Sequence, residues 1–172
     1  MHSNIFLGIG ANLGDPIQQV IASLRLLFNY PAVELIDVSS LYHSAPMGPQ
    51  LQPDYVNAVA QIHCTLNAHD LLDVLQDIEQ QSGRVRNGER WGPRTLDLDM
   101  LLFDNHTYNT QRLTVPHYGM RERAFVLYPL AEIAPQLVMP DGTPISSLLE
   151  QCHDSDLRIG LTRENVWQQI RS

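Results

Sequence analysis

Val56-Asn-Ala-Val-Ala-Gln-Ile-His-Cys-Thr-Leu66 sorts its residues onto two faces. Val56, Ala58, Ala60, Ile62, Cys64 and Leu66 fall on one side, and Asn57, Gln61, His63 and Thr65 on the other, the two-residue period of a strand with one polar face. What precedes this strand decides the fold. Residues 33–43, rich in β-branched and aromatic positions, read as another strand, and only a loop through Asp54 with three prolines and a glycine joins the two. Two strands in direct succession exclude a run of repeated βαβ units. Working outward, the apolar run Asn4–Ile9 ends at Gly10 and predicts a first strand. Asp15 and Pro16 mark a helix start, proline being suited to the first helical position. Ile17, Val20, Ile21, Leu24, Leu27 and Phe28 then recur at helical spacing, stopping before Pro31. Asn67 is a good N-cap for a second helix, with Leu71, Leu75 and Ile78 inward and Gly83 as its stop. Residues 95–103 form a strongly apolar strand. The order β-α-β-β-α-β predicts an α+β fold with a ferredoxin-like core, a largely antiparallel sheet and helices packed on it. A short segment at Thr107–Leu113 and helices near Glu122–Leu130, Ile145–Gln151 and Glu164–Ile170 complete the expectation.

Length and charge narrow the function classes. A chain of 172 residues suits one domain spanning 1–172, and 44% apolar against 17% charged residues is an ordinary globular balance. The net charge is −8, so the surface as a whole repels nucleic acid and anionic membrane. All eleven basic residues are arginine, which removes the Walker A lysine, the kinase β3 lysine and any lysine Schiff base. Seven of those arginines fall in residues 84–123 against five acids, a segment of net +2 in a remainder of −10. A basic island of that kind fits a small anionic ligand better than a nucleic-acid groove, though a solvated helix face with internal ion pairs would look the same. Cys64 and Cys152 have no metal-ligand spacing and read as reduced thiols. With no basic leader and no long apolar run, a cytoplasmic location is expected.

The sharpest chemical signal is Thr95-Leu-Asp-Leu-Asp-Met-Leu-Leu-Phe103. In a strand, Asp97 and Asp99 share a face, with Leu96, Leu98, Met100 and Leu102 expected in the core behind them. Two carboxylates side by side repel unless a cation sits between them, and such oxygen-rich pairs suit Mg²⁺. They serve equally well facing water or paired with Arg94. Arg84, Arg86, Arg90 and Arg94 lie just before the pair, a mixed-sign arrangement fit for a polyphosphate–Mg²⁺ complex. Arg121 and Arg123 follow His117-Tyr118; His117 is suited to a phosphate oxygen or, more commonly, to a helix cap. Tyr55, Asn57 and Phe125 together could wall and read a flat heterocycle, while each alone is ordinarily a core or strand residue. Gly8-Ile-Gly-Ala-Asn-Leu-Gly14 imitates a dinucleotide fingerprint, but Leu13 stands where the third glycine belongs, so a Rossmann reading is set aside.

Taken together, several runs resemble one family. Arg84-Val-Arg86 followed by Glu89-Arg-Trp-Gly-Pro-Arg-Thr-Leu-Asp-Leu-Asp99 is similar to the signature of the 6-hydroxymethyl-7,8-dihydropterin pyrophosphokinases of folate biosynthesis. So are Gly-Pro-Gln50, Pro-Asp-Tyr-Val-Asn57, Leu-Thr-Val-Pro-His-Tyr118 and Gly-Ala-Asn-Leu-Gly14. The resemblance covers about residues 4 to 150 and gives the tail 152–172 no role. It implies a monomer that moves pyrophosphate from ATP to a pterin hydroxymethyl group, with two Mg²⁺ ions on Asp97 and Asp99. It further implies that Arg84, Arg86, Arg94, His117 and Arg123 grip the triphosphate beside Tyr118, Arg84 and Arg94 counting as catalytic with the aspartates. Tyr55 and Phe125 would sandwich the pterin, Asn57 and the backbone of Ser44 and Met47 would read its edge, and Trp91 would close over it. Adenine would lie against Met100, Leu113 and Thr114, partly through backbone, with Glu79 as a helix acid near the site. Two positions depart from the family. It often has Thr-Pro at Ser44-Ala45 and a lysine at Asn87, and loss of that loop cation is expected to weaken ATP binding or slow closure. Residues 44–54 and 83–93, rich in glycine and proline, are expected to close over substrates. A binding module that kept this pocket without turnover, and a nucleic-acid binder using the arginine island, are the competing classes.

Overall fold

Strand β4 (Tyr55–Cys64) sits near the middle of a six-stranded antiparallel sheet. The computed structural model describes residues 2–44, 55–83, 96–152 and 156–172. On one side β4 pairs with β1 (Ser3–Ala11), and β1 in turn pairs with β5 (Asp97–Phe103). The other side of β4 is shared by β2 (Val33–Val38) and β3 (Leu41–Ser44). The core order is that of two interleaved split βαβ units, as the element pattern predicts. Helix α1 (Pro16–Phe28) joins β1 to β2, and α2 (Ala68–Gly83) joins β4 to β5. Their caps form as expected: Asp15 accepts from the amide of Gln18 at 3.3 Å, and Asn67 Oδ1 accepts from the amide of Asp70 at 2.9 Å.

The strand expected over 33–43 is broken in two. At the break, the amide of Ser39 bonds the carbonyl of Val59 at 2.9 Å and its hydroxyl accepts from the amide of Val59 at 2.9 Å, so the side chain fills a place in the ladder.

The two faces of β4 pack against different layers. Val56, Ala58, Ala60, Ile62 and Cys64 join Ile5, Leu7 and Ile9 of β1 beneath α1 and α2, while Val59 faces the opposite layer. That second layer is built by α3 (Ala124–Ile133) and α4 (Ile145–Glu150) over Phe6, Leu101, Leu102 and Met120. A hairpin, β6 (Tyr108–Asn109) with β7 (Thr114–Val115), and a 3₁₀ turn at Met120–Glu122 lead into α3. Thus α3 begins two residues later than the expected Glu122 and runs past Leu130. Pro129 inside α3 leaves the carbonyl of Phe125 without its usual donor four residues on.

One expectation about β5 is corrected. Phe6 pairs with Leu102 and Leu7 with Met100, so Leu101 is an extra residue, a β-bulge. The bulge resets the alternation: Leu98 and Met100 lie in the helix-side core as expected, but Leu102 turns to the opposite face with Leu101, and Phe103 takes its place.

The tail also joins the sheet. After residues 153–155, β8 (Arg158–Leu161) pairs with β3, and α5 (Arg163–Arg171) packs Val166 and Ile170 into the core beside α1. Cys64 and Cys152 form no disulfide.

Candidate active site

A cavity of about 680 Å³ opens on the face of the sheet opposite α1 and α2. Its floor follows from strand register. Gly10 of β1 stands opposite Asn57 of β4 and opposite Asp97 of β5; Gly8 stands opposite Val59 and Asp99. At ~4.8 Å between strands, Asn57 and Asp97 are about 10 Å apart across a glycine that carries no side chain. β1 therefore puts no side chain into the space between amide and carboxylate. That space is tight beneath: a Cβ on Gly10 would lie 2.8 Å from Asn57 Oδ1. Asn57 is 7% exposed, and its Nδ2 donates weakly to Ser44 Oγ at 3.4 Å.

The far wall is the approach to α3. The amide of His117 donates to the carbonyl of the bulge residue Leu101 at 3.0 Å, which fixes this segment against β5. His117 Nδ1 accepts from the amide of Gly119 at 3.1 Å, so the neutral ring carries its proton on Nε2. That nitrogen lies 3.8 Å from Asp99 Oδ2. Burial pulls the His117 pKa below its usual value, with Asp99 opposing and Arg123 reinforcing the shift. Tyr118 stacks on His117 at 4.7 Å and is 81% exposed. The Arg123 guanidinium lies 5.8 Å from the Tyr118 ring and 5.7 Å from the Phe125 ring, a cation between two aromatic faces. Gly119 makes room for it, since a Cβ there would meet Arg123 Cζ at 2.9 Å.

The cavity is lined by Asp97, Asp99, His117, Tyr118 and Arg123 together with Ser44, Tyr55, Asn57 and Phe125, Arg123 lying beside Phe125. Four residues expected near the site do not line it. Met100 and Leu113 are buried in the helix-side core, 4% and 6% exposed, so only their backbone could meet a ligand. Thr114 is exposed on β7, and Glu79 Oε2 accepts from the amide of Leu98 at 2.9 Å on β5. Met47, Arg84, Arg86, Trp91 and Arg94, like most of the two closing segments, lie outside the described residues. Gly8, Gly10 and Asn12, quoted from the sequence as an imperfect fingerprint and a family motif but given no site role, also line the cavity, as does Glu122. Two glycines at alternate positions of a strand were the available signal, because they leave one strip of a sheet face bare.

Asp97 and Asp99 suit a divalent cation. They are hard oxygen donors on one strand face, and both line the cavity. Mg²⁺ commonly takes one or two carboxylates and leaves its other positions to water and phosphate.

Residues 6–135 match the family model described as 7,8-dihydro-6-hydroxymethylpterin-pyrophosphokinase. A Pseudomonas aeruginosa protein named 2-amino-4-hydroxy-6-hydroxymethyldihydropteridine pyrophosphokinase is 49% identical over 88% of this chain and 93% of its own length. A Haemophilus influenzae protein of the same name is 48% identical over 87% and 92%. The Plasmodium falciparum HPPK-DHPS crystallised with pteroate superposes with a TM-score of 0.70 at 12% identity, a likeness of fold, over 88% of this chain and 41% of that one.

Proposed function

Because the chain belongs to the 7,8-dihydro-6-hydroxymethylpterin-pyrophosphokinase family, we propose that it transfers pyrophosphate from ATP to 6-hydroxymethyl-7,8-dihydropterin. The observation that carries this reading is one cavity in which the Asn57 amide and the Asp97 carboxylate face each other across Gly10, with Tyr55, Phe125, Asp99, His117 and Arg123 in the same lining. The pterin hydroxymethyl oxygen attacks the β-phosphorus and forms a C–O–P bond. The bond from that phosphorus to the oxygen bridging the α-phosphate breaks, its electron pair leaves with AMP, and the hydroxyl proton passes to water.

Such transfers need little covalent help from protein; alignment and neutralisation of charge do most of the work. Tyr55 and Phe125 flank the flat ring, and Asn57 with the Ser44 backbone reads its polar edge, joined by Met47 and Trp91. Arg123 meets phosphate with a guanidinium already fixed between two rings, so little side-chain entropy is lost on binding. His117, neutral near pH 7, offers its Nε2–H beside Asp99, with Tyr118 stacked on it. Arg84, Arg86 and Arg94 supply the remaining cations. Adenine lies along the backbone of Met100, Leu113 and Thr114, and Glu79 holds the start of β5. Asp97 and Asp99 would hold two Mg²⁺ ions, which when bound neutralise phosphate charge and ease ionisation of the hydroxyl.

No helix among the described residues is long and apolar enough to cross a membrane. We take the working protein to be one domain, a monomer in the cytoplasm.

The test is a ³¹P NMR or chromatographic product assay with ATP, Mg²⁺ and the pterin. AMP and pterin pyrophosphate, formed only when the pterin is present, are expected. ADP would mean attack at the γ-phosphorus and overturn the mechanism, and both ligands bound without turnover would favour a binding module.

A further inference from the structure

For the proposed pterin site to work, two walls must keep a fixed gap. One is Ser44, Tyr55 and Asn57 on the strands; the other is Phe125 at the start of α3. At the opposite end of α3, Glu132 reaches back to the strand wall. Its Oε1 accepts from the amide of Ser40 and from the hydroxyl of Tyr42, each at 2.9 Å, and its Oε2 accepts from the Ser40 hydroxyl at 2.7 Å. Phe125 and Glu132 are seven residues apart, close to two full turns, and so lie on one face of α3. Tyr42 and Ser44, two residues apart, share a face of β3. One carboxylate thus ties the helix face bearing the aromatic to the strand face bearing Ser44.

The anchor is firm on its outer side as well. Ser40 Oγ accepts from the amide of Arg163 at 3.1 Å, and the Arg163 guanidinium grips Asp37 at 2.6 and 2.8 Å. Ser40 is 3% and Tyr42 8% exposed, which shields these bonds from water. Burial first, and then Glu132, raises the Tyr42 pKa, as expected of a phenol donating to a carboxylate.

We propose that Glu132 is a positioning residue for the pterin subsite, setting the gap between Phe125 and the Ser44–Asn57 wall without touching the ligand. The lever is short. About 10 Å of helix separates Glu132 from Phe125, so a tilt of about 5° moves the ring by roughly 1 Å. A displacement of that size is enough to cost tenfold or more in a site that works by alignment. Arg123, the N-cap of α3, moves with Phe125, whereas Asp97 and Asp99 stand on β5, beyond β1, and are not joined to α3 by this carboxylate, so the ATP end is disturbed less than the pterin end.

The experiment compares wild-type protein with Glu132→Ala, Glu132→Gln and Tyr42→Phe, each shown to be folded by circular dichroism. KM for pterin, KM for ATP and kcat are measured well below the melting temperature. Glu132→Ala is expected to lower kcat/KM for the pterin by about tenfold, through a higher pterin KM together with a lower kcat, while ATP KM rises less than about threefold. Glu132→Gln keeps one acceptor oxygen and should recover much of the loss. Tyr42→Phe removes one bond of three and should raise the pterin KM by roughly twofold to threefold. An unchanged pterin KM in folded Glu132→Ala overturns the proposal, as does an equal rise in both KM values. If Glu132→Ala does not fold, the two milder variants decide, and an unchanged pterin KM in both overturns it. Absence of pyrophosphate transfer by the wild-type protein would overturn the proposed activity itself, a separate and recognisable failure.

Discussion

Gly10→Ala is a small change placed where the site has no slack. The glycine needs no unusual backbone angle, so alanine can adopt its conformation, and the cost is purely one of space. The added Cβ would lie 2.8 Å from Asn57 Oδ1, a distance real Cβ atoms essentially never show, and Asn57 is too buried to swing freely. Forcing an extra methyl into a packed site costs about 1–3 kcal/mol. Turning the amide also sacrifices its 3.4 Å bond to Ser44, which at that length is worth the low end of the usual range, about 0.5 kcal/mol. At ~2–4 °C per kcal/mol for a chain of this size, the melting temperature should fall by roughly 3–14 °C. A pterin read by the displaced amide loses one hydrogen bond, about tenfold in KM. Calorimetry and steady-state kinetics measure the two effects. Gly8→Ala is the control, since its Cβ would meet the end of the Leu101 side chain at 3.3 Å, where a small shift suffices. A double-mutant cycle isolates the cause: in an Asn57→Ala background, Gly10→Ala should cost almost no further stability. A full penalty in that background would refute the clash as the mechanism, and an unchanged melting temperature in the single variant would refute the tightness of the floor.

Asp97→Ala and Asp99→Ala should each abolish turnover while leaving the circular dichroism spectrum unchanged; a near-normal rate in either would remove that carboxylate from the proposed metal site. Asp15→Ala removes the α1 cap and should lower stability by about 1 kcal/mol in denaturant melts, with activity retained. Asp141 has its pKa depressed from 3.8 to about 2 by its hydrogen bonds to Thr143 and then by Arg121. A carboxylate held below its unfolded value stabilises the fold above that value and stops doing so as pH falls through the folded one. The melting-temperature difference between wild type and Asp141→Asn should therefore be constant above about pH 5 and shrink as pH falls through 3.8 towards 2.

Legibility in the sequence tracked how local each decision was. The faces of Val56–Leu66, the α1 and α2 stripes and the shared face of Asp97 and Asp99 need only a neighbour two to four residues away, and the structure keeps them. The bulge at Leu101 could not be read, because Met100-Leu-Leu-Phe103 is apolar in either register and only pairing with β1 selects one. Ser39-Ser40 gave no sign of a break, since their hydroxyls find partners only once β4 and α3 are in place. Gly8 and Gly10 looked like an imperfect phosphate loop until strand register set them opposite Asn57, Asp97 and Asp99. The resemblance to a known family added what residue patterns could not, namely which heterocycle and which phosphate.

The tail has a further consequence, for the behaviour of the protein at high concentration. A bare sheet edge is a template on which other chains can add strands and aggregate. Here the outer edge of β3 is covered by β8, and the new border is only four residues long, with Arg158 at its start. On the opposite border, Glu79 occupies the amide of Leu98 and the His117 amide occupies the carbonyl of Leu101. Both flanks of the sheet are thus partly blocked by the chain's own groups. Removing residues 156–172 would open the β3 flank and bare the apolar seat of Val166 and Ile170 together, so the shortened chain should lose solubility before it loses its helices.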